Sequence, residues 1–219
     1  MIRAHFDEEL KELHLEIIAM GGYVEKAIDD AVKALKTNNL EACLKIIEED
    51  KKVDEMERAI ESKCLWMIAK QQPIASDLRK ITTALKIITD MERIGDHASD
   101  IADLAMRIAG QNSFSDSDIV FRMATAAIEM VNSAVTAYVN YDLMLAKATE
   151  AKDDVVDDYF NVIKRELAEA FSTQSQKIDN AIDYLLIAKY LERIADHAVN
   201  ICEWVHFSQT GEHKSQKIF

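Results

Sequence analysis

Residues 91–102 read MERIGDHASDIA, and residues 191–202 read LERIADHAVNIC. Glu92, Arg93, Ile94, Asp96, His97, Ala98 and Ile101 recur as Glu192, Arg193, Ile194, Asp196, His197, Ala198 and Ile201, at a constant offset of 100. Upstream the match continues at an offset of 103. Ala31, Val32, Ala34, Leu40, Asp50, Val53 and Asp54 recur as Ala134, Val135, Ala137, Leu143, Asp153, Val156 and Asp157. The offset changes by three near Pro73, where three residues have no partner in the second half. A unit written twice across almost the whole chain has to form the same supersecondary structure twice. The 219 residues are therefore restricted to two like halves.

Each half reads as helix. The chain has only five Gly and one Pro, with 49% apolar residues, and β-branched runs are scarce, a composition that suits long helices with few turns. Apolar periodicity predicts helices at about 7–36, 39–71, 76–109, 117–140, 142–171 and 177–207. The longest of them reach ~45 Å at 1.5 Å per residue. Breaks fall at Thr37-Asn38-Asn39, Gln72-Pro73, Gly110–Ser113, Tyr141-Asp142 and Ser172–Gln176, where Gly, Pro, Asn and Ser interrupt the pattern. Ser115 with Asp118 has the spacing of a capping box for the fourth helix. The third helix carries a core stripe of Ile81, Ala84, Ile88, Met91, Gly95, Ala98, Ala102 and Ala105, widened by Ile87, Ile94, Ile101 and Ile108. The sixth repeats it with Ala181, Tyr184, Ala188, Leu191, Ala195, Ala198, Cys202 and Val205. A seam of this length belongs inside a helical bundle. The expected fold is all-α, with six long helices in two tandem, similar three-helix bundles at residues 1–110 and 111–208, followed by a polar tail at 209–219.

Several function classes are disfavoured by composition. The net charge is −13, whereas a nucleic-acid partner calls for clustered Lys and Arg. Cys43, Cys64 and Cys202 are odd in number and lack CxxC spacing. They read as reduced, buried thiols of a cytoplasmic protein, not as a disulfide framework. The opening MIRAHFDEELKEL has no apolar core of a signal peptide. No apolar run approaches ~18 residues, so no membrane span is expected. No phosphate loop, nucleophile elbow or HExxH motif appears, and the expectation is a non-enzyme.

The repeated acids carry the most specific signal. Glu92 and Asp96 are one turn apart on one helix face, at the rim of the core stripe. Asp50 and Asp54 have the same spacing on the preceding helix, whose apolar stripe is Ile46, Val53, Met56, Ile60 and Met67. Helices joined by a short loop run antiparallel, so residues equidistant from the loop lie at one height. Asp54 with Glu92, and Asp50 with Asp96, are both centred on residue 73, in the loop at Pro73. Asp157 with Glu192, and Asp153 with Asp196, are both centred at 174.5, in the loop at 172–176. The arithmetic thus predicts four carboxylates between two helices, twice, with Glu57, Asp100 and Asn200 as outer candidates.

Facing rows of like charge must be protonated or neutralised. A hard cation on oxygen ligands, such as Mg²⁺, Ca²⁺, Mn²⁺ or ferric iron, would do this. The plainer reading is a solvated acidic face balanced by Lys51, Lys52, Arg93 and Arg193; the duplication at matching heights favours the cation. His97 and His197 point about 100° away from the acids that precede them and read as packing or hydrogen-bonding residues. The Met residues, Trp66 and Trp204 read as packing. A ferritin-like oxidase would need Glu-x-x-His; Gly95 and Ala195 stand where that His would be. A metal-free helical scaffold is the remaining alternative.

Taken together, HFDEELKEL, EEDKKVDEME at 48–57, QQPIASDLRKI at 71–81, DMERIGDHASDIA at 90–102 and YLERIADHAVNICEWVHF at 190–207 resemble the PhoU family of phosphate-uptake regulators. The resemblance spans almost the whole chain. It implies two three-helix bundles related by a pseudo-twofold axis, and surface multinuclear metal sites, with iron or zinc in some members. The matching ligand positions here are Asp50, Asp54, Glu92 and Asp96 in the first half, and Asp153, Asp157, Glu192 and Asp196 in the second. It also implies a non-catalytic negative regulator, commonly a homodimer, that links the ATPase of an ABC-type phosphate importer to a membrane sensor histidine kinase. The halves are unequal: Asn200 replaces Asp100, Phe160 replaces Glu57 and Lys164 replaces Glu61.

Overall fold

The computed structural model describes residues 2–110, 118–173, 178–213 and 216–217. The first half folds into α1 (Ile2–Thr37), α2 (Leu40–Gln71) and α3 (Ala75–Ile108). The second folds into α4 (Asp118–Asn140), α5 (Leu143–Glu150), α6 (Asp153–Thr173) and α7 (Ile178–Thr210). Every predicted helix is present, and the chain is all-α as expected apart from a two-residue ladder at its end. Ser115 of the proposed capping box lies outside the described residues.

The turns show why the chain breaks where it does. Asn38 and Tyr141, which correspond in the repeat, both take positive φ, at 51° and 52°. The next residue in each half caps the following helix. Asn39 Oδ1 accepts from the Ala42 N–H at 3.1 Å, and Asp142 Oδ1 accepts from the Met144 and Leu145 N–H groups at 3.0 and 2.9 Å. A side-chain oxygen here satisfies donors that have no partner within the helix.

Two elements differ from the sequence reading. The fifth predicted helix is divided at Ala151 and Lys152, whose N–H groups reach back to Lys147 and Thr149. α6 then restarts on Asp153 and Asp154, whose charges suit the positive end of a helix. The equivalent stretch of α2 runs unbroken. At the other end α7 continues to Thr210, and Gly211 takes φ 78°, where an L side chain would be strained. The chain then doubles back into β1 (Glu212–His213), paired antiparallel with β2 (Gln216–Lys217). The His213 ring stacks on Trp204 with centroids 4.0 Å apart. The expected polar tail therefore begins as an anchored turn.

Within the halves the packing is repeated. α1, α2 and α3 contact one another in pairs, as do α4, α6 and α7, with α5 packed against α4 and α7. The halves join through α3 with α7, the most extensive pairing in the molecule, and through α1 with α4. Four helices are thus central, with α2 flanking α1 and α3, and α5 and α6 flanking α4 and α7. Both predicted stripes are buried along their whole length. They contribute to one apolar core that runs from Phe6 to Val205 and crosses between the halves. Each large aliphatic side chain in it is worth about 1.5–3 kcal/mol of burial. Cys43, Cys64 and Cys202 are buried free thiols.

α4 departs from the expectation of no long apolar run. Its 23 residues reach the length and hydropathy of a membrane-crossing helix. Val120, Met123, Ala127, Val131 and Ala134 are nonetheless buried, in a helix that packs against α1 and α7.

Candidate metal centre

The α2–α3 seam closes tightly beside the predicted acids. A β-carbon added at Gly95 would lie 3.1 Å from Val53 Cγ1 and 3.4 Å from Asp50 Oδ1. With the helices this close, the acids along the rim of the seam meet. Asp54, Glu92 and Asp96 each present an oxygen within 4.8 Å of the other two. Asp50 adjoins them: burial, and then the charges of Asp96, Asp54 and Asp100, push its carboxyl up to about 6. Burial and then Asp96 raise Glu92 as well, with Arg93 opposing. Arg93 Nε lies 3.3 Å from Glu92 Oε2, and its Nη1 donates to Asp96 at 3.0 Å. Arg58 lies 3.6 Å from Asp54. The repeated arginine of the first half therefore balances acids, as expected. Glu57 accepts from the Thr89 hydroxyl at 3.2 Å and is close enough to raise Glu92.

The second patch repeats the arrangement loosely. Asp153 is pushed up to about 6 by burial and then by Asp196, Asp157, Asp154 and Glu192. Burial and then Glu192 raise Asp196, against the opposing charge of Lys189. Asp157 and Asp196 are nonetheless more open to solvent than Asp54 and Asp96. Among the described residues only the first patch brings three carboxylates to within 4.8 Å of one another. Asn200 is not turned to the patch; its amide donates to Asp90 across the α3–α7 seam at 3.3 Å. Arg193 lies by the Tyr190 ring, 6.0 Å from its centroid.

The repeat agrees with the comparisons to known proteins. The PhoU domain matches the chain twice, at residues 7–105 and 120–205. The chain belongs to the PhoU family. The phosphate-specific transport system accessory protein PhoU homolog of Clostridium acetobutylicum is 38% identical over 213 residues, 97% of each chain. PhoU homolog 1 of Thermotoga maritima is 34% identical, covering 97% of this chain and 92% of its own. Crystallised PhoU from Pseudomonas aeruginosa superposes with a TM-score of 0.89 at 33% identity, over 94% of this chain and all of that one. The phosphate transport system regulatory protein PhoU from Streptococcus pneumoniae gives 0.90 at 29% identity, over 95% and 98%.

Metal sites of the kind the PhoU family implies can be tested against the donors present. Glu92 Oε2 and Asp153 Oδ1 are buried and accept no hydrogen bond. Asp153 Oδ1 is thus sheltered from water and unpaired by a donor, which is costly unless a cation lies near, whereas Glu92 Oε2 has the Arg93 guanidinium 3.3 Å away. The donors are carboxylates, the set preferred by hard ions. In donor chemistry the residues fit such an ion.

The histidines serve a different surface. His97 Nδ1 lies 3.5 Å from Asp100, and its ring stacks on Tyr190 at 5.2 Å. His197 Nδ1 is 2.8 Å from Asp90. The two imidazoles are 5.6 Å apart, so they join α3 to α7 and do not point into either patch. Asp90, Tyr190 and Lys189 were not singled out by sequence reasoning. Each stands where the repeat mismatches, since Asp90 corresponds to Tyr190 and Thr89 to Lys189. The informative signal was in the mismatches flanking the repeated phrase.

Proposed function

We propose that the chain is a non-catalytic accessory regulator of phosphate uptake, with carboxylate patches that bind hard metal ions. Membership of the PhoU family, whose relatives bear names of phosphate transport accessory and regulatory proteins, supports the first part. The convergence of Asp54, Glu92 and Asp96 beside the raised Asp50 carries the second. In this reading the protein works at the cytoplasmic side of the membrane. It links the ATPase subunit of an ABC-type phosphate importer to a sensor histidine kinase, and it assembles as a homodimer. Asp50, Asp54, Glu92 and Asp96 would hold the first ion or ions, and Asp153, Asp157, Glu192 and Asp196 the second group. A bound cation would supply the positive charge that offsets repulsion between the facing rows. Iron, zinc, Mg²⁺ and Mn²⁺ all remain within this donor chemistry.

The test is genetic. A strain lacking the protein is expected to import phosphate and express its starvation response even in high phosphate. The wild-type gene should restore repression, and a Glu92→Gln/Asp96→Asn variant should fail to do so although it accumulates normally. Normal repression in the deletion strain would refute the regulatory role. Full rescue by the double variant would refute a role for the first patch.

A further inference from the structure

Beyond the exchange of Asp100 for Asn200, the two patches differ at three positions around their rims. In the first half these are Glu57, Glu61 and Thr89; in the second they are Phe160, Lys164 and Lys189. Two negative charges are replaced by two positive ones. The structure shows what the exchange does. Thr89 donates its hydroxyl to Glu57 at 3.2 Å and to the Leu85 carbonyl at 3.2 Å, and brings no charge. Lys189 instead places its ammonium on Glu192 Oε2. The same ammonium lies over the Phe160 ring, 5.4 Å from the centroid, and Lys164 lies over that ring at 5.8 Å. Phe160 therefore provides an aromatic surface against which the lysine is held.

We infer that Lys189 is a built-in cation of the second patch, which takes the place of a metal charge there and leaves the first patch as the one with high metal affinity. The inference rests on the metal reading of the acidic patches. The counter-ions of the first patch do not have this character. Arg93 and Arg58 reach Glu92, Asp96 and Asp54 from outside, with side chains 56% and 73% exposed. Exposed pairs of this kind contribute little and are easily exchanged for another cation. Lys189 is 40% exposed, less than either arginine, while its partner Glu192 at 15% is as sheltered as Glu92 at 17%. An ion entering the second patch must displace an ammonium held by both a carboxylate and a ring, or else sit beside it against like charge. The fold then has two similar halves with different electrostatic roles. The α2–α3 seam depends on the supply of ions, and the α6–α7 seam carries its own counter-charge.

The experiment is a Mn²⁺ titration of the full chain after removal of bound metal, with free Mn²⁺ followed by electron paramagnetic resonance. Wild type should show a tight phase, lost in Glu92→Gln/Asp96→Asn, and a weak phase, lost in Glu192→Gln/Asp196→Asn. Lys189→Thr installs the residue of the first half and should tighten the weak phase about tenfold or more, as removal of one unit charge a few ångströms away requires. Lys189→Gln should act in the same direction, which guards against a folding defect peculiar to threonine; circular dichroism checks both. Lys189→Arg keeps the charge and should leave the weak phase as in wild type. A weak phase unchanged in both neutral variants would overturn the inference while leaving the metal reading intact. Absence of any Mn²⁺ binding by wild type would overturn both. A wild-type tight phase lost only with Glu192→Gln/Asp196→Asn would show that Lys189 does not weaken its patch.

Discussion

A carboxylate that keeps its proton up to pH about 6 is a poor permanent anion and a good pH-dependent ligand. Asp50 is in that position, raised from an ordinary value of 3.8 by burial and then by Asp96, Asp54 and Asp100. A raised carboxyl favours folding below its unfolded value, and that contribution is lost as pH rises through the folded value. Without ions, Asp50 therefore adds to stability near pH 4 and detracts from it above pH about 6. An ion must displace the proton below pH about 6 and meets no such competition above it. Mn²⁺ affinity of the tight phase is accordingly expected to be steady from pH 7.5 to 6.5. Below that it should fall by up to about tenfold per pH unit for each proton displaced. Asp50→Asn should weaken binding at pH 7 and flatten this dependence. Affinity that is flat from pH 7 to 5 in wild type would show that Asp50 takes no part.

At the scale of the element, the narrow approach of α2 to α3 depends on Gly95. The second half has Ala195 at this position beside Val156, both buried. Gly95→Ala would bring its methyl to 3.1 Å from Val53 Cγ1, so Val53, which lies beside Asp50, must yield by a few tenths of an ångström, while Asp50 Oδ1 at 3.4 Å stays in ordinary contact. Helix propensity pulls the other way, since Ala in a helix interior is better than Gly by about 1 kcal/mol. The expected outcome is a change in unfolding free energy within about 1 kcal/mol of zero, because these effects offset, together with weaker Mn²⁺ binding to the first patch. Unchanged binding would mean that the seam width does not set the ligand positions. Much of this geometry was legible in sequence, because antiparallel helices with short loops convert residue numbers into heights: Asp54 with Glu92 and Asp50 with Asp96 follow from Pro73 alone. The break at Ala151 was not legible, since its determinant is the pair Asp153-Asp154 acting at a helix start, and helical periodicity passes through it. Lys189 was missed because a lysine on a helix rim reads as solvated until Phe160 and Glu192 are placed around it. Arg193 shows the same limit, repeating Arg93 in sequence but resting on Tyr190 in place of the acids.

For the whole molecule, the three-plus-three division was legible, and the way the halves meet was not. The apolar stripes of α3 and α7 say that both are buried, but not that they face one another. The polar groups at their crossing give that pairing its register. Asp90 accepts from Asn200 at 3.3 Å and contacts His197 Nδ1 at 2.8 Å, while Tyr190 covers His97. The repeat is unequal here, and Tyr190 stands beside Asp100, where a second Asp would repel. With Asp90 on one helix and Tyr190 on the other, each histidine has a different neighbour. Asp90→Ala removes the acceptor shared by His197 and Asn200 and leaves both in a half-buried seam. The loss of a partner by such donors costs about 1–3 kcal/mol. Asp90→Ala is therefore expected to lower the urea midpoint by a corresponding amount. In a cycle with His197→Ala the two losses should be non-additive, with a coupling of at least about 0.5 kcal/mol. Additive losses would mean that the apolar stripes alone hold the halves together and that the Asp90–His197 contact is incidental to their packing.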